Sequence, residues 1–315
     1  MNNVRIVFMG TPDFAVATLD ELVQQGLHIV GVITAPDRPA GRGRKLQESA
    51  VKKYAIEKGL TVLQPTNLKA TDFLEDLREL QADLQIVVAF RMLPKVVWSM
   101  PAKGTFNLHA SLLPDYRGAA PINWAIMNGE QMTGATTFFI DDKIDTGEII
   151  LQEKLPISEK DTAGSLHDRL MVLGAKLVYK TVEAIVSGTV QPKKQEVSKM
   201  IKTAHKLFKD NCVIDWNKSL QDIYNHIRGL SPYPTAWTKL QNGEDSIPIK
   251  IYHTEMEERK HSYNNGHLIF DKKEIRVAVK GGFLKLLEIQ LAGKRKMKTQ
   301  EVLNGLSLEK NARVG

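Results

Sequence analysis

The 315-residue chain has a single cysteine, Cys212, which rules out an internal disulfide and a cysteine-built zinc cluster. Stability has to come from packing. No apolar run reaches about 18 residues, so a membrane-spanning protein is not expected. The start, MNNVRIVFMG, goes directly into a strand-like run without the apolar segment and small-residue cleavage site of a secretory signal; the expected compartment is the cytoplasm. The 22 glycines and 13 prolines are too few for a collagen-like or low-complexity chain. Several catalytic signatures are missing too. MGTPDF at 9–14 lacks the G-x-G-x-x-G spacing that a dinucleotide pyrophosphate needs, and GRGRK at 41–45 is not a Walker loop. No G-x-S-x-G elbow presents a nucleophilic serine. The eight histidines show no H-E-x-x-H or comparable spacing, so no catalytic metal is expected. His205, His226, His253, His261 and His267 read as surface or packing residues.

What is present, 43% apolar and 25% charged residues, is the composition of a globular protein. Length predicts roughly two domains. Charge is unevenly divided: residues 1–191 hold 20 Lys and Arg against 22 Asp and Glu, whereas residues 192–315 hold 23 against 14, a net of +9. Such a half suits a polyanionic partner, because Lys and Arg release counterions from a phosphate backbone. A solvated basic face is the alternative.

In the first half, short apolar runs at 4–9, 28–34, 61–64, 84–90, 105–110 and 135–140 alternate with amphipathic stretches, the pattern of parallel strands joined by crossover helices. Thr11 can cap the first helix with Pro12 in its first turn. A helix over 165–188 closes a first domain, 1–188. The lysine-rich stretch 189–206 reads as a linker, and 207–315 as a second domain. There, Ser219 followed by Asp222 marks a helix start. The short strands beyond it suit a small sandwich or barrel.

Polar information concentrates in GTFNLHASLLPDYRGAAP at 104–121. In a strand, Asn107 and His109 share one face while Phe106 and Leu108 share the other. Two polar side chains at the carboxyl end of a sheet strand mark a binding site in open α/β folds. A satisfied core histidine is the alternative. A second acidic loop, IDDKIDTGEI at 140–149, follows another strand end; Asp145 could orient the imidazole, while Asp141 and Asp142 could be solvated turn residues. An amide donor and a protonated imidazole can stabilise an oxyanion on a carbonyl carbon, and histidine can move a proton. Acyl transfer by direct attack of a substrate amine fits this set.

These residues carry a family resemblance. FMGTPDFA at 8–15, APDRPAGRGRKL at 35–46, NLHASLLPDYRGAAPI at 107–122, IDTGEI at 144–149, SPYPTAW at 231–237 and LAGKRKM at 291–297 resemble the 10-formyltetrahydrofolate-dependent formyltransferases, and among them the members acting on initiator methionyl-tRNA. The resemblance runs from about residue 4 to 305. It implies an α/β architecture, a Rossmann-like, mostly parallel sheet domain followed by a small OB-like β-barrel, in a monomer. It implies Asn107, His109 and Asp145 as the catalytic trio. The folate cosubstrate, 10-formyltetrahydrofolate, would meet Ser111, Leu112, Leu113 and Pro114, with Phe90, Arg91, Met92 and Leu93 bordering its pterin. Initiator methionyl-tRNA would meet the basic loop with Arg38, Arg42, Arg44 and Lys45. Lys193, Lys194, Lys206, Lys294, Arg295 and Lys296 would hold its phosphates. AFRMLP at 89–94 departs from the family by lacking a glycine, with Arg91 in its place, and Lys143 stands where glycine is common. A formyltransferase for a small amine, such as a nucleotide or amino sugar, and a catalytically silent RNA-binding protein are the competing readings.

Overall fold

The computed structural model describes residues 3–40, 45–196 and 200–315. The chain forms two compact units, the first made of Met1–Gly118, Met132–Pro156 and His167–Thr203, the second of Ala119–Gln131, Ile157–Leu166 and Ala204–Gly315. Among the described residues no helix is long and apolar enough to cross a membrane.

The first unit is built on one sheet of seven strands: β1 (Ile6–Gly10), β2 (Ile29–Ile33), β3 (Val62–Leu63), β4 (Leu84–Val88), β5 (Thr105–His109), β6 (Met132–Phe139) and β7 (Ile149–Pro156). Their order is β7-β6-β5-β4-β1-β2-β3. β1 and β4 are buried along their whole length, which is why IVFMG and LQIVV show no polar alternation. On one face Val7, Met9, Ile33 and Val87 pack with Phe73 and Leu77 of α1 (Thr71–Glu79). On the other, Leu108 meets Gly174 of α2 (Ala163–Ser187), where an added Cβ would stand 2.8 Å from a leucine methyl. Leu108 therefore points at the helix, and Asn107 and His109 point away from it. The helix Asp13–Gln24 begins one residue later than the Thr11 cap predicts: Pro12 is its N-cap, with no side-chain capping bond, and its carbonyl accepts from Ala15 at 2.9 Å.

The sheet departs from the predicted parallel order at one edge. β1 to β5 run parallel, but β6 runs antiparallel to β5, with Phe139 opposite Phe106 and Thr136 opposite His109, and β7 returns antiparallel along β6. An apolar run carries no strand direction, so the 135–140 segment could not reveal this. The consequence matters for function. The loop 140–148 leaves the sheet beside the amino end of β5, not beside the carboxyl end where His109 lies.

The second unit is built on an antiparallel sheet of β8 (Ala236–Asn242), β9 (Asp245–Glu258), β10 (Leu268–Phe270), β11 (Ile275–Val279), β12 (Gly282–Leu291) and β13 (Arg313–Val314), in the order β10-β11-β12-β9-β8-β13. Its two edges meet: Leu268 N donates to Ala312 O at 3.1 Å and Val314 N to Gly266 O at 2.8 Å. The sheet thereby closes into a small barrel and leaves no long free edge. Ile223, Ile227 and Leu230 of α3 (Leu220–Leu230) join Ile249, Ile251, Val277 and Leu284 in its core. Ser219 caps α3 as its sequence predicts, accepting from Asp222 N at 3.1 Å. Buried Arg228 ties in the 157–166 segment, donating to Asp161 O at 2.9 Å and Ser158 O at 3.2 Å.

Candidate active site

His109 is buried at the carboxyl end of β5, and its Nε2 lies 2.8 Å from the carbonyl oxygen of Tyr116. A carbonyl only accepts, so Nε2 carries the hydrogen and Nδ1 is left as the ring atom that can take or give a proton. Nδ1 stands 3.8 Å from Oδ2 of Asp145. That oxygen also accepts from Gly118 N at 2.9 Å. The orientation of the imidazole is thus set by a backbone carbonyl, while Asp145 faces the free nitrogen from beyond hydrogen-bond distance. Half-buried Asn107 occupies the same strand face two residues earlier.

Asp145 reaches His109 because its loop doubles back over the sheet by about three strand residues, on the order of 10 Å. Several features hold that path. Asp145 takes a left-handed φ of 54°, and Tyr116 likewise one of 62°. Such values cost a non-glycine residue on the order of 1 kcal/mol or more and tend to gather at functional sites. Lys143, at the position where glycine is common in the family, is not among the described residues with positive φ; the left-handed turn falls on Asp145 instead. Asp141 is a working turn residue, accepting from Lys143 N at 2.9 Å and from the Thr146 hydroxyl at 2.7 Å. Gly147 passes so close to Phe139 that a Cβ would lie 1.7 Å from its carbonyl oxygen. Gln195, which sequence alone places in a linker, also reaches this loop.

The stretch 111–114 is locked from beneath. Ser111 is buried with its hydroxyl donating to Asp115 O at 2.7 Å. Thr136, opposite His109 on β6, donates to Ser111 O at 2.6 Å and accepts from Leu113 N at 3.2 Å and Gln152 Nε2 at 2.9 Å. Leu113 is buried, while Leu112 and Pro114 are half-buried. Thr136 and Gln152 escape sequence analysis because their partners, backbone atoms of 111–113 and each other, are distant in sequence. In the 90–93 loop, Leu93 is buried, Phe90 half-buried, and Arg91 and Met92 exposed. Arg91 donates to Thr66 O at 3.0 Å and to Pro65 O, which anchors this loop in place of the missing glycine geometry. Partial desolvation of its guanidinium, then the charge of Arg38, lower its pKa from the usual guanidinium value.

Among the basic positions, exposed Arg38 sits in a short strand, Arg38–Ala40, paired with Lys45–Gln47. Arg42 and Arg44 lie outside the described residues, and only the backbone of Lys45 is described. Lys193 and Lys194 are exposed on the first unit; Lys206, Lys294, Arg295 and Lys296 are exposed on the second. Lys296 is paired with Glu288 at 3.0 Å. The second unit also has a groove of about 720 Å³ that sequence analysis missed, lined by Phe208, Tyr233 and Trp237 together with Lys209, Lys239 and Lys250. Lys209 lies over the Trp237 ring, 5.0 Å from its centre.

Comparison with known proteins matches residues 4–182 to the formyl transferase family and residues 206–307 to the formyl transferase C-terminal domain. Methionyl-tRNA formyltransferase of Flavobacterium johnsoniae is 58% identical over 314 residues, covering 100% of both chains. That of Bacteroides thetaiotaomicron is 54% identical over 97% of each. Among solved structures, an N-formyltransferase from Helicobacter canadensis in complex with folinic acid and dTDP-3-aminofucose superposes with a TM-score of 0.67 at 23% identity, over 93% of this chain and 100% of that one. HypX from Aquifex aeolicus in complex with tetrahydrofolic acid gives 0.66 at 16% identity, over 97% of this chain and 48% of that one. With both of its parts matched and its full length shared with such relatives, the chain belongs to the formyl transferase family, among the methionyl-tRNA formyltransferases.

Proposed function

We propose that this enzyme transfers the formyl group of 10-formyltetrahydrofolate to the α-amino group of initiator methionyl-tRNA, working as a monomer in the cytoplasm. The observation that carries the proposal is His109, fixed through Nε2 by Tyr116 and facing Asp145 with Nδ1, in a chain 58% identical to a methionyl-tRNA formyltransferase over its whole length. Two solved structures of the same fold carry folate-type ligands, which supports a folate donor. An amino-sugar acceptor is not favoured, since relatives at 53–58% identity over almost the whole chain are methionyl-tRNA formyltransferases.

An amine next to an ester is a weaker base than an ordinary α-amino group, whose pKa is about 7.7–8.0, so much of it is neutral near pH 7. It needs placement more than activation. Its nitrogen attacks the formyl carbon, and the carbonyl oxygen becomes an oxyanion. The Asn107 amide and a protonated His109 Nδ1 stabilise that charge, each donor contributing about 3 kcal/mol. Collapse breaks the bond from the formyl carbon to the folate nitrogen. The proton lost by the attacking amine passes to the Asp145 carboxylate and from it to that leaving nitrogen, while His109 Nδ1 keeps its own. Ser111, Leu112, Leu113 and Pro114, with Phe90, Arg91, Met92 and Leu93, would hold the folate.

Residues 1–188 would carry this chemistry, and 207–315 would grip tRNA phosphates through Lys206, Lys294, Arg295 and Lys296, joined by 189–206 with Lys193 and Lys194. Arg38, Arg42, Arg44 and Lys45 would meet the acceptor end. The aromatic and lysine-rimmed groove of the second unit suits stacked bases beside a phosphate chain. The test is direct: the protein, initiator methionyl-tRNA and 10-formyltetrahydrofolate are combined and formylmethionyl-tRNA is measured. Formylation of a small amine in preference to the tRNA would overturn the proposal.

A further inference from the structure

Gln195 lies between Lys193, whose backbone pairs with Ile149 in both directions at 2.8 and 2.9 Å, and Lys202, whose carbonyl accepts from Tyr116 N at 2.6 Å. Lys193 and Lys202, on either side of it in sequence, are therefore each tied by backbone hydrogen bonds within the first unit. Both ends of its side-chain amide are used. Nε2 donates to the carbonyl oxygens of Asp145 and Gly147, each at 2.9 Å. Oε1 accepts from Nε and Nη2 of Arg117 at 3.1 and 2.5 Å. The next residue, Gly118, gives its N–H to the Asp145 carboxylate at 2.9 Å. The contacts close a ring that runs from Gln195 to the Asp145 backbone, through its carboxylate to Gly118, and back by Arg117.

This ring resists a specific failure. The 140–148 loop must double back to bring Asp145 to His109, and it holds Asp145 at a φ of 54° that a non-glycine side chain disfavours. A loop released at that point would relax toward ordinary dihedrals and carry the carboxylate away. Only an amide meets the demand, because two carbonyl oxygens need a donor where a guanidinium needs an acceptor. A glutamate would satisfy Arg117 and set a negative oxygen against both carbonyls.

We infer that Gln195 is a positioning residue for formyl transfer, fixing Asp145 opposite His109 by pinning the backbone at that residue and two residues beyond it. It touches no reacting atom, and its role rests on the assignment of Asp145 made above.

The test compares Gln195→Ala, Gln195→Glu, Asp145→Asn and the Gln195→Ala/Asp145→Asn double variant in single-turnover formylation of methionyl-tRNA, with KM for the tRNA and a melting curve for each. Both Gln195 variants are expected to slow the chemical step by about 10- to 100-fold with KM for the tRNA held within about twofold. In the Asp145→Asn background, the Gln195→Ala change should cost less than about twofold, since its effect passes through Asp145. An equal loss in both backgrounds would show a merely structural role and overturn the inference, as would a normal rate from folded Gln195→Glu. An impaired Asp145→Asn beside an unimpaired Gln195→Ala removes this inference alone. A normal rate from Asp145→Asn removes the reading of Asp145 and the inference with it.

Discussion

The ring of His109 is held by the carbonyl oxygen of Tyr116, 2.8 Å from Nε2, while the Asp145 carboxylate stands 3.8 Å from the opposite nitrogen. The hydrogen on Nε2 is committed to a backbone atom. All proton movement at this histidine therefore runs through Nδ1, on the side of the carboxylate.

Loss of the Asn107 or His109 side chain should strike chemistry rather than binding. Asn107→Ala and His109→Ala are each expected to lower the single-turnover rate by about 10²- to 10⁴-fold, with the tRNA dissociation constant within about twofold of the wild type. Rapid-quench kinetics beside a filter-binding titration separate the two quantities. Variants that lost affinity at an unchanged rate would place these residues outside the chemistry.

Gly147→Ala should be as damaging as a change in a reacting group. Its new Cβ would lie 1.7 Å from Phe139 O, so the loop has to move, and a displacement of about 1 Å at the Asp145 carboxylate can cost about 10²-fold in rate. Circular dichroism should show an intact fold while the formylation assay records the loss.

The site was only partly legible in the sequence. Alternation along TFNLH puts Asn107 and His109 on one face, and the structure places them there, opposite Leu108 and its helix. The Ser219 cap and the barrel strands were equally readable, because capping and period-two patterns are local. The direction of β6 was not, since an apolar run packs equally well either way. Tyr116 escaped notice because it acts through a backbone carbonyl, and Gln195 because its partners lie 48 to 78 residues away with no local pattern to announce them. Such contacts belong to tertiary structure alone.

Salt dependence should distinguish the basic residues of the second unit. Lys294→Ala and Arg295→Ala are each expected to weaken tRNA binding and to reduce the slope of log K against log salt by about one. Lys296→Ala should do less, because its charge is already shared with Glu288 at 3.0 Å. Titrations from 50 to 200 mM salt measure this; equal effects at all three positions would show that the pair opens on tRNA.

Stability should fall in mild acid. Burial holds the His226 pKa below its ordinary value of 6.5, and Nε2 is sealed from solvent without a partner among the described residues. The unfolded chain then binds a proton that the folded chain refuses, so stability is full above about pH 6.5 and declines as pH falls toward the lowered folded value. His226→Gln should flatten thermal melting between about pH 6.5 and 5. An unchanged pH slope in that variant would assign the acid sensitivity elsewhere.

The most direct test of the account mixes enzyme in excess with initiator methionyl-tRNA and saturating 10-formyltetrahydrofolate and follows formylmethionyl-tRNA in a single turnover. Rapid product from the wild type, with a rate cut by about 10²-fold or more in His109→Ala at unchanged tRNA affinity, is the predicted result. Product formation at the wild-type rate by folded His109→Ala would contradict it.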